Sequence, residues 1–197
     1  MSEAGIVLTA VQIRERIAAI GAEISRDYAG RSPILVGVLK GSLLFMADLV
    51  RAIDLPVRVD FMSISSYGSG SSGVVRILKD LDLALEGEDV ILVEDIIDTG
   101  LTVTYLLANL KARNPESLHV VALLDKSVRR IIEVPIRYKG FDIPDEFVVG
   151  YGLDYEGRYR NVSTIVGVSN LDVLADGPGP LQPYLPDGWV EPDASGE

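Results

Sequence analysis

The chain has 197 residues, 48% of them hydrophobic, which is enough to bury a full core at a length that favours one globular domain. A formal net charge of −11 argues against nucleic acid as the main partner, because that affinity is built from clustered Lys and Arg, so any phosphate must be met locally. The absence of cysteine excludes disulfides, thiolate catalysis and Cys-based zinc sites, and a single histidine, His119, argues against a multi-His metal site or a His-Asp relay.

The N-terminus "MSEAGIVLTA" lacks a basic leader region, and no apolar run approaches the roughly 18 residues of a membrane span, so a cytoplasmic protein is expected. Thr9 can cap a first helix whose apolar residues Val11, Ile13, Ile17, Ile20 and Ile24 recur at helical spacing until Gly30. "PILVGVL" (33–39) then predicts a buried strand, "SLLFMADLVRAI" (42–53) a helix, and "VRVDFMSI" (57–64) a further strand. The run "GSGSSG" (68–73) matches a dinucleotide-binding fingerprint, but β-like "VVRILKDLDL" follows it where a helix should open, so it reads as a mobile loop with Ser66 and Tyr67 at its base. "DVILVED" (89–95), "LHVVALL" (118–124), "EFVVGY" (146–151) and "STIVGV" (163–168) predict four more strands, and "LTVTYLLANLKAR" (101–113) a helix between the first two. Near-continuous apolar strands separated by helices predict an α/β fold, a mostly parallel sheet covered on both faces, with ligands at the carboxyl ends of its strands. From 171 onward the chain is dense in Pro and Gly, and a loosely packed tail over 171–197 is expected after a domain at 1–170.

The stretch "VILVEDIIDTGLT" (90–102) places Glu94, Asp95 and Asp98 where a strand ends, although like charges there repel. A Thr-Gly turn into a helix follows, so backbone N–H groups at 99–102 point outward with the positive end of the helix dipole, which suits a monophosphate. Gly100 permits close approach, and Thr99 and Thr102 add hydroxyls. Glu94 and Asp95 would repel phosphate but suit a ribose diol or hydrated Mg²⁺, so the pattern predicts a phosphorylated sugar site. The plainer alternative is a helix cap at Asp98 preceded by two solvated strand-end charges.

This stretch resembles the phosphoribosyl-pyrophosphate signature of type I phosphoribosyltransferases, and its E-D-I-I-D-T-G form resembles the hypoxanthine-guanine branch. Other segments agree in order: "VGVLKGSLLFMADL" with the family's pyrophosphate loop, "SSYGSG" with its lid, "LLDKS" with its purine-contacting lysine, and "FDIPDEFVVGYGLDYEGRYRN" with its hood over the base. The resemblance covers roughly residues 5 to 170. It implies the type I fold, a central mostly parallel sheet flanked by helices with a small hood, and assembly as a homodimer or homotetramer. It implies Mg²⁺-dependent transfer of 5-phosphoribosyl from phosphoribosyl pyrophosphate to hypoxanthine or guanine, giving IMP or GMP and pyrophosphate. By the same resemblance Glu94 and Asp95 hold the ribose hydroxyls and magnesium, Asp98 is the general acid or base at purine N7, and Thr99, Gly100, Leu101 and Thr102 bind the 5′-phosphate. Leu39, Lys40 and Gly41 form the pyrophosphate loop, Ser66 and Tyr67 belong to the lid, and Lys126 reaches the purine O6. Phe147 stacks on the base, Val148 offers backbone contacts, Asp154 binds a second magnesium, and Arg160 meets pyrophosphate. Some members carry Lys where this chain has Leu101, which leaves phosphate binding to amides and hydroxyls.

Taken without the resemblance, Lys126 reads as a surface charge at a strand end, Phe147 and Val148 as core, and Asp154 with Arg160 as a surface ion pair. A non-catalytic sensor of phosphoribosyl pyrophosphate is the rival function. It needs the acidic loop but not the lid, hood and pyrophosphate loop together.

Overall fold

Thr9 and Gln12 open the first helix reciprocally: the Gln12 N–H donates to Thr9 Oγ1 at 3.3 Å and the Thr9 N–H to Gln12 Oε1 at 2.9 Å. The computed structural model describes residues 4–67, 74–174, 177, 179–185 and 189. In chain order these form β1 (Ala4–Leu8), α1 (Ala10–Asp27), β2 (Ile34–Leu39), α2 (Leu43–Ala52), β3 (Arg58–Tyr67), β4 (Val74–Lys79), β5 (Asp89–Ile97), α3 (Leu101–Lys111), β6 (Ser117–Asp125), β7 (Ile136–Asp142), β8 (Phe147–Val149) and β9 (Ile165–Val168). The chain divides into a larger unit, residues 14–145, and a smaller one made of residues 1–13 and 146–197.

The larger unit is built on a six-stranded sheet in the order β4-β3-β2-β5-β6-β7, parallel throughout except for the β3–β4 hairpin at one edge. Alternation along the strands buries both faces. Ile34, Val36, Val90, Leu92, Val120 and Ala122 join Leu106 and Leu110 of α3 in one core, while Leu35, Ile91, Val93, Val121 and Leu123 are as fully buried on the opposite face. The chain runs outward from β2 to β3 and β4 and then returns to β5 on the other side of β2. That reversal opens a crevice where β2 and β5 end, the place where parallel sheets bind ligands.

Several elements differ from their sequence reading. Residues 146–151 and 163–168 do not join the parallel sheet. They shorten to β8 and β9, which pair antiparallel with each other, and β9 also pairs antiparallel with β1, so that Phe147 and Ala4 both lie opposite Val168. The connection between them carries positive φ at Gly150, Tyr151, Gly152, Glu156, Gly157 and Tyr159, so it coils back without the helix that a parallel crossover uses. β7 was not legible because Arg137, Lys139 and Asp142 interrupt its apolar pattern, although Tyr138 is buried against β6 opposite Val121. β5 continues to Ile97, so Glu94 and Asp95 lie inside the strand.

The Pro-rich stretch is also less detached than its composition suggests. Short 3₁₀ turns at Leu171–Leu174 and Gly179–Tyr184 bury Leu174 and Leu181 in the core of the smaller unit, alongside Val149, Tyr159, Val162 and Val166. The run 68–73 lies outside the described residues.

Candidate active site

Leu39, Gly41, Glu94, Asp95, Asp98, Thr99, Gly100 and Thr102 line one cavity of 260 Å³ in the larger unit, at the ends of β2 and β5 and the start of α3. The parallel pairing of β2 with β5, Ile34 opposite Val90 and Gly37 opposite Val93, sets the two loops side by side. The Leu39–Lys40 peptide is cis. Gly41 follows it, and a Cβ there would overlap Asp95 Oδ2, so any other residue would require the Asp95 carboxylate to shift. Gly100 has φ +85° and caps α3, and a Cβ there would overlap the carbonyl of Ile132. The first N–H groups of α3 have no acceptor within the helix, and among the described residues only the Leu101 N–H is drawn back, to Thr99 Oγ1 at 3.4 Å.

The acids are not equivalent. Neighbouring strand residues point to opposite faces, and Glu94 is 5% exposed with Oε1 buried and without a partner. Burial pushes its carboxyl well above the usual 4.5, and the charge of Asp95 adds to the rise. Asp95 turns toward Gly41 and accepts the N–H of Ile96 at 2.9 Å. Asp98 presents one oxygen to Arg129 at 3.4 Å, while its other oxygen, Oδ1, is buried without a partner. Two orphaned carboxylate oxygens at one strand end favour a cation or a proton-bearing ligand. Carboxylate oxygens suit a hard cation such as Mg²⁺, which usually keeps waters and substrate oxygens in its shell.

Lys126 is not a solvated strand-end charge. It is 6% exposed at the end of β6, and its N–H donates to the Ile97 carbonyl at 2.9 Å. The residues that follow were missed in the sequence. Arg130 forms a buried ion pair with Asp125 and donates through Nε to the Asp98 carbonyl at 3.0 Å, while Arg129 bridges Asp98 to Asp145 at 2.8 Å. The Thr99 carbonyl accepts the N–H groups of Ile131 and Ile132 at 2.9 and 3.1 Å, so the 126–132 turn holds the acidic loop from outside. The only sequence signal was a pair of arginines after "LLDK", which carries no periodicity.

In the smaller unit Val148 is buried and Phe147 is half-buried, edge-on to Tyr155 at 6.1 Å. Asp154 pairs with Arg160 at 2.7 Å and accepts the N–H of Gly157 at 2.7 Å, the ion pair of the plainer reading. Ser66 and Tyr67 end β3 opposite Val75 and Val74.

A model of the phosphoribosyl transferase domain matches residues 5–156. The chain is 54% identical to the hypoxanthine-guanine phosphoribosyltransferase of Mycobacterium avium, over 81% of this chain and 83% of that one. It is 49% identical to that of Dictyostelium discoideum, over 80% and 91%. Among solved structures, a hypoxanthine phosphoribosyltransferase from Staphylococcus aureus is 42% identical with a TM-score of 0.82, covering 87% of this chain and 94% of that one.

Proposed function

The chain belongs to the phosphoribosyltransferase family, in its hypoxanthine-guanine branch and with the type I fold, and we infer that it transfers 5-phosphoribosyl from phosphoribosyl pyrophosphate to a 6-oxopurine, releasing pyrophosphate. The observation that carries this reading is the pair of orphaned carboxylate oxygens, Glu94 Oε1 and Asp98 Oδ1, beside a helix N-terminus that offers N–H groups to phosphate. Cation-seeking and anion-seeking groups a few residues apart match a sugar whose 5′-phosphate and hydroxyls must be gripped separately.

In this reading the 5′-phosphate rests on Thr99, Gly100, Leu101 and Thr102, and its diol faces Glu94 and Asp95. Asp98 Oδ1 holds the proton of purine N7, and the Lys126 ammonium donates to O6. Leu39, Lys40 and Gly41 receive pyrophosphate, and Ser66 and Tyr67 carry the closing lid. The roles of Phe147 at the base, Val148, Asp154 at a second cation and Arg160 at pyrophosphate rest on the family resemblance. Glu94 and Asp95 would hold Mg²⁺ and Asp154, by the family resemblance, a second Mg²⁺; the cation would supply neutralisation of the departing pyrophosphate. Departure of pyrophosphate leaves positive charge on the ribose ring, which in this reading the carboxylates at the end of β5 would stabilise. Exclusion of water by the lid protects that cation from hydrolysis.

A cytoplasmic homodimer or homotetramer serving purine salvage completes the reading; no described helix is long and apolar enough to cross a membrane. Pyrophosphate release from phosphoribosyl pyrophosphate and Mg²⁺, with each base offered separately, tests it. Turnover is expected with hypoxanthine or guanine, and equal use of adenine would overturn the choice of branch.

A further inference from the structure

The single tryptophan of the chain, Trp189, belongs to the Pro-rich segment that the transfer reaction leaves unused. Its indole stacks on Tyr159, with ring centroids 6.1 Å apart and planes inclined by 26°. Tyr159 is 2% exposed and stands next to Arg160 in the loop that also carries Asp154. Arg160 reaches across that loop, pairing with Asp154 at 2.7 Å and donating to the Gly152 carbonyl at 2.5 Å. On the other side of Tyr159, the Arg158 guanidinium lies 5.5 Å from the Tyr159 ring and 6.0 Å from that of Tyr155, and Tyr155 meets Phe147 edge-on. A continuous chain of ring and cation contacts thus runs from Trp189 through the loop to Phe147.

The loop needs such support. Tyr151, Glu156 and Tyr159 all hold positive φ, a conformation that residues with a Cβ keep only when surrounding packing imposes it. Leu174 and Leu181 anchor the segment in the core of this unit, with Tyr184, Leu185 and Trp189 packed against it. The indole N–H is buried without a partner, so what Trp189 contributes is its ring face and not a hydrogen bond.

We propose that Trp189 is a positioning residue: by stacking on Tyr159 it holds the 154–160 loop in the form that presents Asp154 and Arg160 to magnesium pyrophosphate. The proposal rests on the roles of Asp154 and Arg160 given above. It deepens that reading by assigning the C-terminal segment to pyrophosphate affinity, and it makes the lone tryptophan a built-in reporter of that site.

The test uses the full chain. Binding of pyrophosphate with Mg²⁺ is measured by calorimetry for wild type, Trp189→Ala, Trp189→Phe and Arg160→Ala, and the wild-type tryptophan emission is followed through the same titration. Trp189→Ala is expected to weaken pyrophosphate and raise the KM for phosphoribosyl pyrophosphate by about 3- to 10-fold, the scale of one lost aromatic pair, with kcat little changed. Trp189→Phe keeps the stack and should restore both values. The wild-type emission should change and saturate at the calorimetric Kd, a readout that holds even if Trp189→Ala fails to fold. If Arg160→Ala weakens pyrophosphate while Trp189→Ala does not, or if the emission is silent while heat is released, the brace is refuted and the site reading stands. If Arg160→Ala leaves affinity intact, the assignment of Arg160 fails and the brace falls with it.

Discussion

Replacing Glu94 by Gln should make the ligand-free protein more stable as pH rises. Glu94 is 5% exposed with one oxygen unpartnered, and burial first, then Asp95, lifts its carboxyl well above 4.5. A carboxyl raised in the folded state keeps a proton that the unfolded chain has released. The unfolded state therefore binds fewer protons above 4.5, and folding loses stability with rising pH until the folded carboxyl itself ionises. Inside that window the loss is up to about 1.4 kcal/mol per pH unit, which for a chain of this size corresponds to roughly 3–5 °C in Tm. Glu94→Gln removes this dependence and keeps the side chain's volume. The measurement is thermal melting of both proteins between pH 5 and 8 with chelator and no substrate. The difference in Tm should grow with pH in favour of Glu94→Gln, while binding of magnesium phosphoribosyl pyrophosphate by the variant falls. A Tm difference that stays constant with pH would refute the argument, because it would show that Glu94 ionises in the fold as freely as in water.

Asp98→Asn should lower kcat by about 10²-fold or more with substrate KM values little changed, the scale of a lost general base; unchanged turnover would reduce Asp98 to a partner of Arg129. Lys126→Ala should abolish 6-oxopurine turnover and narrow the preference over adenine, whose amino group would face the ammonium donor to donor. In the intact enzyme that mismatch should cost about 2–4 kcal/mol, or roughly 30- to 1,000-fold in kcat/KM measured with the two bases in competition. Arg130→Ala leaves the buried Asp125 carboxylate with Lys139, at 3.3 Å, as its remaining cation and releases the Asp98 carbonyl. Urea unfolding should show a loss of about 1–3 kcal/mol, and partial restoration by the double variant Arg130→Ala with Asp125→Ala would separate the half-paired charge from the missing contacts.

The acidic strand end was legible because chemistry and position coincide in a few consecutive residues: apolar residues ending in Glu94 and Asp95, then Asp98, Thr99 and Gly100 before a helical pattern. Helices α1, α2 and α3 were legible for the same local reason, since one buried stripe repeating every three to four residues declares itself without reference to any neighbour. Lys126 shows where that kind of signal stops. A lysine after an apolar strand looks like a solvated charge, and only the pairing of β5 with β6 places it at 6% exposure beside the acidic loop.

By itself the sequence determined the α/β class, the parallel strands read at 33–39, 89–95 and 118–124, and the glycine turn into the helix at 101, because each follows from periodicity or turn chemistry within about ten residues of chain. Tertiary structure alone decided the rest. An apolar strand does not state its partner, so β8 and β9 form a separate sheet in which β9 lies between β8 and β1, and the charged strand β7 gained its place only by covering the flank of β6. A carboxylate does not state its surroundings, so the contrast between orphaned Glu94 and Asp95 against Gly41 came from the meeting of β2 with β5, more than fifty residues apart in sequence. The same holds for the Pro-rich segment. Composition predicts loose chain, but Leu174, Leu181 and Trp189 find apolar surface on β8, β9 and their connecting loop, and burial there offsets the entropy that composition alone counts.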